Sequence, residues 1–152
     1  MYSEKEASAI RQKFWTSFGL YMAPVPSASG EKINWINYKT GIKGIYFKAD
    51  ADNNRTFVAI EISLPDKIMQ QKHFDIFLNF RAPFESIAGT DWDMRPSVYT
   101  PHGKDVSRIS TELNGVNIFR ENQWPDIIAF LKKNMTAFDA FWHEFKPAFE
   151  YE

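Results

Sequence analysis

Apolar and polar residues alternate most regularly between Ile33 and Leu64, INWINYKTGIKGIYFKADADNNRTFVAIEISL. Alternation with a period of two marks a half-buried strand, and Gly41, Gly44 and Asn53-Asn54 punctuate the stretch as turns. The pattern predicts three short strands. With Asn53-Asn54 as a two-residue loop between the second and third, counting outward sets Ala49 opposite Val58, Phe47 opposite Ile60 and Ile45 opposite Ile62. These six apolar residues share one face, expected to be the core side. Tyr46, Lys48 and Asp50 share the other with Glu61, Ala59 and Phe57. A slip of one residue would bury Lys48, Asp50 and Glu61, which is what fixes the register.

A different period brackets the ribbon. Ala7, Ile10, Phe14, Phe18 and Tyr21 recur at helical spacing behind a Ser3/Glu6 capping box, predicting a helix over residues 3–22 that Pro24 and Pro26 end. After the ribbon, Ser63 to Asp66 reads as a helix start, and Ile68, Phe74, Phe77 and Leu78 supply a stripe. Pro83 should split that helix near Asn79, with a stop at Gly89. Trp92, Met94 and Val98 then predict a strand that Pro96 confines to an edge, and Ser107 to Leu113 a returning one. Trp124-Pro125 opens a last long helix whose stripe runs from Trp124 through Leu131, Phe138 and Trp142 to Phe149. Phe130 and Phe141 widen this stripe. Core accounts for the width, and so would an aromatic ledge that meets another protein or a second copy, giving a homo-oligomer through the C-terminal helix. The expected class is α+β: a mixed, largely antiparallel sheet of about five strands flanked by an N-terminal, a middle and a long C-terminal helix, in the order α-β-β-β-α-β-β-α.

Composition narrows the chemistry. At 152 residues the chain is expected to form a single domain, large enough to bury its own core. It has no cysteine, which removes thiolate metal sites, disulfides and thiol catalysis. No signal-like hydrophobic run begins it and no eighteen apolar residues follow one another, so the expected location is cytoplasmic, without a membrane partner. The formal charge of −1 argues against a protein that grips nucleic acid through many phosphates. Charge is uneven, however. From Lys32 to Arg55 five basic residues face only Asp50 and Asp52, with Trp35, Tyr38 and Tyr46 interleaved. Stacking aromatics beside phosphate-binding lysines would look like this, and so would an ordinary strand pair guarded by lysines. The candidate binding residues are Trp35, Tyr38, Lys39, Lys43 and Tyr46, for a nucleic acid or a protein partner.

The polar ribbon face supports a second reading. Asp50 and Glu61 on neighbouring strands would hold Mg²⁺, with Lys48 neutralising a phosphate. Under that reading Asp50, Glu61 and Lys48 are catalytic; under the other no cofactor is expected. A solvated sheet face with Lys48 lying diagonal to Glu61 explains the same residues without chemistry. His73 within the middle helix and His102 in an exposed turn carry no assigned role.

The segments W-x-N-Y-K-T-G at Trp35–Gly41, I-Y-F-K-A-D-A at Ile45–Ala51, A-I-E-I at Ala59–Ile62, S-R-I at Ser107–Ile109 and W-P at Trp124-Pro125 resemble the bacterial domain-of-unknown-function family 4268. That resemblance carries no catalytic residues. It implies an association with DNA metabolism or defence, because members also occur as the C-terminal part of larger bacterial proteins, some of them nuclease-like. A looser, topological similarity is to the PD-(D/E)XK nuclease core, which sets an Asp on its second strand and Glu-x-Lys on its third. Asp50 and Glu61 would occupy those places, but Ser63 stands where the lysine belongs, leaving Lys48 as its substitute.

Overall fold

The computed structural model describes residues 2–151. Four helices lie on one side of a four-stranded antiparallel sheet. In chain order they are α1 (Glu4–Met22), β1 (Ile45–Ala51), β2 (Arg55–Ile62), α2 (Lys67–Asn79), α3 (Arg81–Ala88), β3 (Asp93–Tyr99), β4 (Asp105–Asn114) and α4 (Trp124–Phe145). The strands stand side by side as β1-β2-β4-β3. The class is the expected α+β, with four strands rather than about five.

The missing strand is the first of the three expected from the alternation. Residues 33–44 form bends and turns because side chains there capture the backbone. Asn34 Oδ1 accepts from the amides of Ile36 and Asn37, curling the chain where a strand would run straight. The Thr40 hydroxyl donates to the Ile45 carbonyl. Gly41 and Gly44 take positive φ, which ladder pairing does not accommodate.

The β1–β2 register is the one that counting predicts: Ile45 faces Ile62, Phe47 faces Ile60 and Ala49 faces Val58. The loop conformation differs from the expected positive-φ turn. Neither asparagine has positive φ; instead Asp52 Oδ1 accepts from the amides of Asn54 and Arg55, and the Asp52 amide bonds the Arg55 carbonyl. Burial alone would raise the Asp52 pKa, but those two amide bonds and the Arg55 charge hold it below the ordinary value.

The capping box at Ser3/Glu6 is present, and α1 buries Phe14, Phe18 and Met22 while Tyr21 stays exposed. Asp66 caps α2 from outside, so Pro65 precedes the helix rather than sitting in its first turn. The buried stripe of α2 is Gln70, His73, Phe74 and Phe77; Ile68, expected in it, is 81% exposed. Pro83 has no amide to offer the preceding turn, and the helix breaks at Phe80 into α2 and α3, which ends at Gly89. Pro96 lies in edge strand β3 at a bulge between Arg95 and Val98.

The interior is a single aromatic cluster. Phe138 on α4 meets Phe47, Phe84 and Trp92 at ring-centroid distances of 5.2, 6.3 and 5.3 Å. Phe141, part of the expected ledge, is fully buried against Phe84, and Phe145 packs on Phe80 at 4.9 Å. The C-terminal part of that apolar width is therefore taken up within the chain, by Phe77, Phe80 and Phe84, while Phe130 is half-buried. Among the described residues no helix is long and apolar enough to cross a membrane.

Candidate functional site

Every helix contributes its buried side chains to the cluster that also holds Phe47, Val58, Ile60 and Ile109. The opposite sheet face therefore stays open. Tyr46, Lys48 and Asp50 line it on β1, Arg55, Phe57 and Glu61 on β2, Arg108, Ser110 and Glu112 on β4, and Asp93 and Arg95 on β3.

At its centre lies a buried carboxylate. Glu61 is 4% exposed, yet both its oxygens are satisfied. Lys48 Nζ stands 3.1 Å from Oε1, the diagonal pairing the strand count predicts, while Arg108 donates to Oε2 through Nε at 3.1 Å and Nη2 at 2.9 Å. β4 brings Arg108 directly opposite Glu61, so the cross-strand register itself makes the charge pair. Arg95 faces Arg108 from β3 but turns to Asp93 at 2.8 Å.

Asp50 points to the same side as Glu61 without joining it. Asp50 faces Phe57 and Glu61 faces Tyr46, a four-residue offset of roughly 13 Å along the strands. Asp50 Oδ1 accepts instead from the amide of Ala51. One cation holds its ligand oxygens within about 5 Å of one another, far less than this offset, and Glu61 is already occupied by two cationic side chains. No cluster of three or more His, Asp or Glu suited to a metal occurs among the described residues. With residues 33–44 outside the sheet, the strand succession also departs from that of the PD-(D/E)XK core.

The expected aromatic and basic binding set is divided. Trp35 is buried in the core, its indole donating to the Val25 carbonyl at 3.0 Å, because the turn at Asn34 drives it inward. Tyr38 leans on Phe47 and donates to Asp139 Oδ1 at 2.6 Å. Burial, then the Asp139 hydrogen bond and charge, hold that phenol far above its ordinary pKa. Lys39 borders a hollow of about 720 Å³ over the end of α4, and Lys43 is exposed in the turn before β1. Only Tyr46 stands on the open face, 48% exposed with Lys48 over its ring. The face adds a second ring that the count had placed there without a role: Phe57, under the Arg55 guanidinium. Phe57, Arg55, Arg95 and Arg108 border a groove of about 510 Å³ with Asp91, Asp93 and Glu112.

Two structural residues escaped the sequence reading. Arg108 lies in an alternating strand that cannot declare its neighbour. Asp139 sits within the apolar stripe of α4 and is 5% exposed; its Oδ2 accepts from the Ala28 amide at 2.6 Å, so it ties the irregular 23–44 segment to the helix. A lone acid inside an apolar stripe is the signal that could have found it.

These features define an α+β domain with a one-sided helical layer and an open, mixed-charge sheet face. The chain belongs to the family described as a domain of unknown function, DUF4268, whose profile matches residues 10–146. No curated protein and no solved structure matches it.

Proposed function

We propose that the chain is a non-catalytic binding module that takes single-stranded nucleic acid on its open sheet face. The observation that carries this reading is the uncovered face itself: it holds two rings, Tyr46 and Phe57, each with a cation over it. Adjacent strands offset them by roughly 13 Å, a platform on which two separate bases can stack. Lys48, Arg55, Arg95 and Arg108 give the face its cations, each paired there with a carboxylate: Glu61 with Lys48 and Arg108, Glu112 with Arg55, and Asp93 with Arg95. Affinity then comes chiefly from stacking, and its salt dependence is shallow for a nucleic-acid binder. The wide separation of Asp50 and Glu61, and the engagement of Glu61 by Lys48 and Arg108, favour binding over cleavage.

Fluorescence anisotropy with labelled single-stranded DNA and RNA at low salt tests the reading. Tyr46→Ala and Phe57→Ala should each weaken binding about tenfold, the range of one lost base stack. Absent binding to either strand type, or affinity indifferent to both substitutions, would overturn it.

A further inference from the structure

Among the described residues the outer edge of β1 has no partner strand. The Ser63 amide bonds the Gly44 carbonyl and the Asp52 amide bonds the Arg55 carbonyl, so even-numbered residues of β1 direct their backbone groups at β2. Odd-numbered residues direct theirs away. Ile45 is satisfied locally, by the Ile42 carbonyl and the Thr40 hydroxyl, and the Ala51 amide by Asp50. Phe47 and Ala49 remain, with the Ala51 carbonyl: among the described residues nothing bonds the amides or carbonyls of the first two or that last carbonyl. The segment at Ile36–Tyr38 passes alongside without pairing to them. It leaves a hollow of about 370 Å³ on the open-face side and one of about 230 Å³ on the helix side, the latter lined by Trp15, Trp35, Ile36 and Met135.

We propose that this edge receives an extended segment of another protein, added as a fifth strand, with an acidic residue opposite Lys48 and apolar residues on either side of it. Only a polypeptide backbone presents donors and acceptors at the spacing of Phe47 and Ala49. Its residues opposite those two point to the helix side, where the hollow is apolar. The residue between them points to the open side, at the closely spaced, non-hydrogen-bonded position opposite Lys48, whose side chain is 53% exposed. The Lys48 ammonium holds Glu61 Oε1 at 3.1 Å and is otherwise open to solvent, where a carboxylate of the incoming strand complements it. The same geometry disfavours a second copy of this chain: the one self-pairing that engages both Phe47 and Ala49 is antiparallel about residue 48 and sets Lys48 against Lys48. This proposal goes beyond the nucleic-acid reading: it uses the backbone of Phe47 and Ala49, and Lys48 is the one group the two share.

The test titrates the full chain into fluorescent eight-residue peptides with Val-Glu-Leu or Val-Lys-Leu at the centre, and follows amide hydrogen exchange by NMR. The Glu-centred peptide should bind at least tenfold more tightly than the Lys-centred one, and exchange at the Phe47 and Ala49 amides should slow on binding. Lys48→Met should shrink the preference to under twofold, and Ile36→Ser, at an exposed position, should weaken both peptides. Binding that leaves those two amides unprotected, no binding at millimolar peptide, or a concentration-dependent homodimer that protects them would each overturn the proposal.

Discussion

The two faces of the sheet are built from the same four strands and solve opposite problems. On the helix side, Phe47, Val58, Ile60 and Ile109 pack in one cluster with Phe138 and Trp142, and apart from the Trp142 indole, which donates to the Thr40 carbonyl, these groups need no partner beyond close packing. On the open side the most deeply buried carboxylate, Glu61, survives only because β1 and β4 bring a cation to each of its oxygens. Stability on the first face comes from area removed from water and scales with volume. On the second it depends on completeness, since a buried charge is tolerated when paired and costly when one partner is removed. The contrast teaches that perturbing the helix side should act through cavities and the open side through orphaned charge.

The largest effect belongs to the helix side. Phe138 is fully buried and touches rings from β1, α3 and the Trp92 turn. Phe138→Ala should destabilise by about 3–5 kcal/mol, the range for emptying an aromatic core site. Urea titration gives the number; a loss below about 1 kcal/mol would mean that the core collapses into the gap and that this face is not the rigid one.

Next comes the open side. Arg108→Ala leaves Glu61 buried with Lys48 alone and should cost about 2–3 kcal/mol. The companion variant sharpens the comparison. Replacing Glu61, Arg108 and Lys48 together by Leu removes all three charges, and stability should return to within about 1 kcal/mol of the parent. If the triple variant is as unstable as Arg108→Ala, packing and not charge pairing governs this face too.

The same contrast explains what could be read from the chain. The β1–β2 register was legible because seven residues on either side of a short loop alternate in step, and a one-residue slip would turn Lys48, Asp50 and Glu61 toward the apolar core. Ile33 and Trp35 also alternate, yet they do not form a strand. Their fate is decided by the Asn34 side chain and by Val25, ten residues before Trp35, and periodicity carries neither. Arg108 was illegible as a site residue because β4, not its predecessor β3, crosses to lie beside β2, a choice made in three dimensions. Capture of polar side chains, by the local backbone at Asn34 and across the fold at Asp139 and Glu61, is where the apolar periodicity stopped being informative.

A third, smaller effect comes from the helix layer, at the buried imidazole of His73. It is buried on α2 with Nδ1 2.7 Å from the Tyr151 hydroxyl, and burial, followed by the Lys72 charge, pushes its pKa below the ordinary value. A depressed histidine pKa means that the unfolded chain binds the proton first. Its contribution is therefore full above about pH 6.5 and is lost as pH falls from there through the folded value, at no more than about 1.4 kcal/mol per pH unit. His73→Gln should flatten that part of the stability profile between pH 7 and 5, measured by denaturation at each pH. An unchanged slope would show that the helix side holds no proton-linked group here.

The smallest effect separates the two cations on Glu61. Arg108 faces it directly, donates twice to one oxygen and is about one-quarter exposed; Lys48 reaches the other oxygen from the sheet edge and is half exposed. An ammonium on a flexible stem in that position is well screened and gives up side-chain entropy to hold its place. Lys48→Ala should therefore cost less than about 1 kcal/mol, against about 2–3 for Arg108→Ala. Salt discriminates further, because only the exposed pair should weaken appreciably as ionic strength rises. Equal losses for the two variants would place both cations in the same buried environment, and the open face would then behave as a second interior rather than a water-facing surface with one dry charge at its centre.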